Sequence, residues 1–110
     1  MNSTEIQILR NISQNPRISQ REIASKNEIS LGKVNYVIKS LAEKGHVKIH
    51  NFKKSKNRKR YMYLLTPKGM TEKARLTAEF LRRKMEEYEK LQKELRELKQ
   101  ELHEYNKSND

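Results

Sequence analysis

The sequence predicts a mainly α-helical chain with one small β-hairpin, in which a compact N-terminal domain continues into a long C-terminal helix that forms a coiled coil. Three observations predict it. Apolar residues recur at helical spacing in short segments before residue 45, bounded by capping or breaking residues. Between residues 46 and 65 the apolar period falls to two. After Pro67 no breaker follows Gly69 until the tail, and leucines step by three and four.

The first helix is expected over Asn2–Asn15. Ser3 or Thr4 can cap it, and Ile6, Leu9 and Ile12 share a face bordered by Ile8. Asn15-Pro16 ends it, because the residue before proline is pushed out of helical angles. After a short extended link, Ser19-Gln-Arg-Glu22 is a capping box. It opens a brief second helix through Lys26, with Ile23 and Ala24 inward. Asn27–Ser30 is a tight turn. Ser30 then caps a third helix, whose apolar stripe is Leu31, Val34, Ile38 and Leu41. Gly45 fits a left-handed stop. The opposite face carries Gly32, Lys33, Asn35, Tyr36, Lys39 and Ser40, with no acid and no large aliphatic. Donors, acceptors, one aromatic and two cations are the inventory for phosphates and base edges. A short helix, a tight turn and a capped helix with a polar outer face make a helix-turn-helix.

His46–Phe52 and Arg60–Leu65 alternate as two strands, with Tyr61, Tyr63 and Leu65 on one face of the second. Between them, residues 53–60 hold six cations among eight residues: Lys53, Lys54, Lys56, Arg58, Lys59 and Arg60. Like charges this dense repel one another unless an anion compensates them, so this hairpin reads as the basic wing of a winged helix-turn-helix.

Thr66-Pro67 is a helix start with threonine at the N-cap and proline at the first helical position. A helix over 67–105 spans roughly 58 Å at about 1.5 Å per residue, too long for a compact domain of residues 1–65. From Tyr88 the apolar residues fit a heptad seam, with Tyr88, Leu95 and Leu102 at a and Leu91, Leu98 and Tyr105 at d. Leu81 and Met85 lie in a broader, less regular stretch upstream, where Lys84 occupies a d position. The g positions are Glu87, Glu94 and Glu101, and the e positions are Gln92, Lys99 and Asn106. Parallel pairing sets Glu94 against the partner's Lys99, whereas antiparallel pairing sets glutamate against glutamate. These pairs are worth only tenths of a kcal/mol each, so they tilt the pairing towards parallel. The expected division is 1–65 for the winged domain, 66–106 for the dimerisation helix and 107–110 for a frayed tail.

Charge separates the same two parts. The chain of 110 residues carries a net +11. Residues 1–65 hold 14 Lys/Arg against 4 Glu, and residues 66–110 hold 11 against 10 Asp/Glu. A polyanion partner is therefore expected for the first part. Cysteine is absent, so disulfide and thiol chemistry are excluded. No apolar run approaches the ~20 residues of a membrane helix and no signal-peptide pattern opens the chain, which points to a soluble, cytoplasmic protein. His46, His50 and His103 are scattered, without a third ligand to complete a metal site. There is no glycine-rich phosphate loop and no catalytic constellation. The sequence predicts no enzyme, no cofactor and no metal.

The segment ISQREIASKNEISLGKVNYVIKSLAEKGHV, with its Leu41-x-x-x-Gly45-x-Val47 junction, resembles the winged-helix regulators of the MarR type. The segment RYMYLLTPKGMTEKARLTAEFLRRKMEEYEKLQKELREL resembles a short subgroup of them, the EPS-associated transcriptional regulators. The resemblance implies a prokaryotic DNA-binding regulator. Longer members carry more N-terminal helical sequence that helps to form an effector pocket. Here the first helix starts close to residue 1, which leaves a small-molecule effector unknown.

The expected function is therefore that of a homodimeric, sequence-specific regulator of transcription binding double-stranded DNA. The helix 30–44 enters the major groove, where Lys33, Asn35 and Tyr36 reach bases, Gly32 allows close approach to the backbone, Lys39 and Ser40 reach phosphate, and Ser30 opens the same helix. Ser19, Gln20 and Arg21 anchor on phosphate at a helix N-terminus. Lys53, Lys54, Lys56, Arg58 and Lys59 follow the minor groove. Leu81, Met85, Tyr88, Leu91, Leu95, Leu98, Leu102 and Tyr105 join two copies over a palindromic operator. The alternative is a protein–protein adaptor that uses the winged helix and the coiled coil without DNA. Binding of structured RNA ranks last, because the aromatic platform of single-strand readers is missing.

Overall fold

A computed structural model describes residues 3–55 and 58–109, with side chains described for 3–51 and 61–109. Six elements follow in order: α1 Ser3–Gln14, α2 Gln20–Asn27, α3 Leu31–Glu43, β1 Val47–Ser55, β2 Arg58–Leu65 and α4 Pro67–Ser108. The chain forms two compact units, Met1–Thr77 and Ala78–Asp110.

The first unit is a winged helix-turn-helix. Its core gathers Ile6, Ile8, Leu9 and Ile12 of α1, Ile18 of the link, Ile23 of α2 and Val34, Val37, Ile38 and Leu41 of α3. Val47 and Tyr63 of the hairpin and Leu76 of α4 complete it. Each such apolar side chain contributes about 1.5–3 kcal/mol on burial. The stripe of α3 differs from the expected one at one end: Leu31 is 43% exposed, while Val37 is 3% exposed and part of the core. Leu31 is the first helical residue and, like Ile49, lines an open groove.

The turns are fixed by specific bonds. Ser19 Oγ accepts from the Glu22 N–H at 3.0 Å and donates to Glu22 Oε1 at 3.3 Å, a capping box closed through the hydroxyl. At the other end of α2, Glu28 adopts φ 54°, a left-handed angle that a glutamate takes only at a cost. Asn27 Nδ2 donates to Asn11 Oδ1 at 2.6 Å and to the Ile23 carbonyl at 2.7 Å, tying this corner to α1. Ser30 Oγ accepts from the Lys33 N–H at 3.1 Å and starts α3. Gly45, at φ 77°, ends it. The Gly45 N–H bonds Ala42 O at 3.0 Å and the His46 N–H bonds Leu41 O at 2.8 Å, the two bonds of a Schellman stop.

β1 and β2 pair antiparallel with Val47 opposite Leu65, Ile49 opposite Tyr63 and Asn51 opposite Tyr61. The strands run further than the alternation suggested. Pairing continues through Phe52 opposite Arg60 and Lys53 opposite Lys59, then shifts register between Lys53 and Ser55. A ladder of backbone bonds does not need an apolar face, and a bulge absorbs the unequal strand lengths. The hairpin is anchored at its base, where the Tyr63 N–H donates to Pro16 O at 2.8 Å.

Thr66 caps α4, its Oγ1 accepting from the Gly69 N–H at 3.0 Å and donating to Gly45 O at 2.5 Å. The Thr66 N–H donates to His46 O at 3.1 Å. Gly69 presses on this junction: a Cβ there would lie 1.9 Å from His46 O. In the second unit, Leu81, Met85, Tyr88, Leu91, Leu95, Leu98, Leu102 and Tyr105 are 46–65% exposed. Its bonds run along the helix, from Gln92 Nε2 to Tyr88 Oη at 2.9 Å and from Gln100 Nε2 to Glu104 Oε1 at 3.1 Å. Lys84, the interruption in the seam, pairs with Glu87 at 3.3 Å and lies 5.3 Å from the Phe80 ring centre.

Candidate nucleic-acid interface

The outer face of α3 is polar because its apolar residues are used up on the inner one. With Val34, Val37, Ile38 and Leu41 buried, the helix turns Gly32, Lys33, Tyr36 and Lys39 outward, all exposed. Tyr36 is 70% exposed, which is unusual for an aromatic and leaves its ring available to a partner. A Cβ built on Gly32 meets nothing within 4 Å, so the fold itself does not require glycine there. Lys33 and Lys39 make no ion pair among the described residues. Asn35 and Ser40 are half-buried at the flank of this face.

Ser19, Gln20 and Arg21, expected as phosphate anchors, divide in role. Arg21 is exposed. The Ser19 hydroxyl is committed to the cap of α2. The Gln20 amide is held inside the domain, with Nε2 donating to Tyr63 Oη at 3.2 Å and Oε1 accepting from Asn35 Nδ2 at 3.3 Å. The start of α2, α3 and the hairpin are thus joined through the Gln20 and Asn35 amides and the Tyr63 hydroxyl. Burial pushes the Tyr63 phenol above its ordinary pKa, and the bond from Gln20 opposes that shift.

These same residues line an open groove of about 540 Å³ between the start of α2, α3 and the hairpin. Arg17, Arg21 and Lys39 bring cations to it, and Leu31, Ile49 and Tyr61 bring apolar surface. The Tyr61 ring stacks beside that of Tyr63 at 6.4 Å. Of the wing residues, Lys56 lies outside the described residues, and so do the side chains of Lys53, Lys54, Arg58 and Lys59. Among the described residues no group of three or more His, Cys, Asp or Glu is placed to hold a metal ion. No described helix is long and apolar enough to cross a membrane.

The inward commitment of Gln20 was not legible in the sequence, because it depends on Tyr63, 43 positions away. The burial of Val37 had a signal: it follows Val34 at helical spacing.

Residues 1–48 match the family model described as winged helix-turn-helix DNA-binding. Among solved structures, the chain is similar to the PcaV transcriptional regulator from Streptomyces coelicolor, at 18% identity and TM-score 0.64 over 74% of this chain and 57% of that one. It is similar to FabT from Streptococcus pneumoniae, solved in complex with DNA, at 20% identity and TM-score 0.59 over 79% and 59%. A MarR/EmrR family transcriptional regulator from Acinetobacter sp. ADP1 aligns at 21% identity and TM-score 0.59 over 77% and 58%. This chain therefore spans less than two thirds of the length of those three proteins. No curated protein matches it by sequence. The fold is a winged helix-turn-helix, as in those three structures.

Proposed function

We propose that this chain is a homodimeric, sequence-specific regulator of transcription that binds double-stranded DNA in the cytoplasm. The observation that carries the reading is the outward face of α3, where Gly32, Lys33, Tyr36 and Lys39 are exposed without an acid among them. The winged helix-turn-helix match over residues 1–48 supports it. So does the net charge of the region up to residue 65, which is +10 from its 14 Lys/Arg and 4 Glu. In this reading α3 lies in the major groove, with Lys33, Asn35 and Tyr36 towards base edges and Lys39 and Ser40 towards phosphate. Arg21 meets phosphate beside the start of α2. The basic wing, residues 53–60, follows the adjacent minor groove.

Residues 66–106 serve as the dimerisation helix. The six apolar residues of its heptad seam, with Leu81 and Met85 upstream, are exposed in a single chain and are covered by the same residues of a second copy. Parallel pairing places Glu94 opposite Lys99 of the partner subunit and keeps the three g-position glutamates apart.

A gel-shift series on duplex DNA tests this. Six to ten phosphate contacts per dimer reduce affinity by roughly 10³- to 10⁵-fold between 50 and 200 mM salt. Lys33→Glu with Lys39→Glu abolishes the shift and leaves sedimentation of the dimer unchanged. A flat salt response, or full binding by the doubly reversed protein, contradicts the reading and favours a protein-binding adaptor.

A further inference from the structure

Asn35, expected from sequence to contact bases, is not a free side chain. Its Nδ2 donates to Gln20 Oε1 at 3.3 Å, and Gln20 Nε2 in turn donates to Tyr63 Oη at 3.2 Å. The far end of this relay is fixed. The Tyr63 side chain is buried, its N–H is bonded to Pro16 O at 2.8 Å, and its ring stacks on Tyr61. The relay ties the hairpin, the first residue of α2 and the second turn of α3 together. By contrast, the Lys33 and Tyr36 side chains, on the same helix, make no hydrogen bond among the described residues.

A side-chain amide has two N–H donors and a carbonyl acceptor. With one Nδ2 hydrogen engaged by Gln20, Asn35 keeps Oδ1 and its second N–H. Those two groups, side by side in one plane, match the major-groove edge of adenine: Oδ1 accepts from N6–H and Nδ2–H donates to N7. Guanine offers two acceptors at that edge and repels Oδ1. Fixing the amide plane beforehand removes the rotamer freedom that a free asparagine gives up on binding. We propose that Asn35 specifies one A·T pair in each half-site, that Gln20 is the positioning residue that orients its amide, and that Tyr63 anchors Gln20. This deepens the DNA-binding reading and rests on it. It also reassigns Gln20 from a phosphate contact to an internal support.

The test is selection from random duplexes, read by sequencing, on wild type and four variants. Wild type enriches adenine at one position per half-site by roughly 5- to 150-fold over other bases, the range of one bidentate pair. Asn35→Ala loses that preference and keeps the rest of the motif. Gln20→Met, which removes the acceptor, and Tyr63→Phe, which removes only the anchoring hydroxyl, weaken the same preference, while flanking positions are unchanged. Gln20→Glu retains an acceptor for Asn35 and takes the Tyr63 O–H as its own donor, so it keeps the adenine preference at lower affinity. A merely structural role of the relay would lower binding evenly at all positions. Unchanged adenine enrichment in Asn35→Ala, or in both Gln20→Met and Tyr63→Phe, overturns the proposal and leaves DNA binding standing. No enriched motif in wild type removes the DNA-binding reading itself.

Discussion

Replacing Gly69 by alanine places a methyl group against the backbone of another element. The added Cβ lies 1.9 Å from His46 O, 2.9 Å from its carbonyl carbon and 3.2 Å from its Cα. None of these is the end of a flexible side chain, so relief requires α4 to move away from the end of α3 by more than an ångström. His46 O also accepts the Thr66 N–H at 3.1 Å, the bond that seats the α4 cap. Overpacking costs about 1–3 kcal/mol, and losing the Thr66 bond adds about 0.5–1.5 kcal/mol. The expected loss is therefore about 2–4 kcal/mol, a large fraction of the 5–15 kcal/mol typical of a small domain. Urea unfolding of wild type and Gly69→Ala, followed by circular dichroism at matched protein concentration, reads it as a lower midpoint at unchanged slope. Gly32→Ala is the control, because a Cβ there meets nothing within 4 Å; in the first turn of α3 it should leave the midpoint unchanged or slightly raised. A Gly69→Ala midpoint equal to wild type would refute the argument that the cap of α4 is locked against His46.

Other perturbations have defined outcomes. Glu28 holds φ 54°, and Glu28→Gly should stabilise the domain by about 0.5–1 kcal/mol in the same assay, the relief of left-handed strain less the added chain entropy of glycine. Leu95→Glu with Leu98→Glu places charges in the exposed seam and should give monomers by sedimentation at tens of micromolar with helicity of the first unit retained; wild type that is itself monomeric there would remove the coiled coil. Burial raises the Tyr63 pKa in the folded state. Its contribution to stability is therefore present below the ordinary phenol pKa of about 10 and lost as pH rises through the raised value. Tyr63→Phe should flatten the loss of stability above pH 10, and an identical alkaline profile would refute it.

Most of the fold was written in local signals. Ser19, Ser30 and Thr66 cap the helices they were expected to cap, and Gly45 takes the left-handed angle that its position demands. Period-two alternation found the hairpin but underestimated its length, because the charged segment that continues the strands has no apolar face to reveal a period. The polar face of α3 was legible because it is the complement of an apolar stripe. Its internal wiring was not. Gln20 reads as an exposed polar residue at a helix start until Tyr63, brought in by the hairpin, gives it a partner. Gly69 carries no local mark of its closeness to His46, because that contact forms only when α4 folds back on the end of α3.

In the proposed dimer, two copies of α3 read a symmetric stretch of duplex DNA. Selection of the wild-type protein on random duplexes tests this most directly. The expected result is an enriched inverted repeat whose half-sites lie about 10 base pairs apart, or a multiple of that. Enrichment of no motif, or of a single unrepeated site bound by one copy, would contradict it.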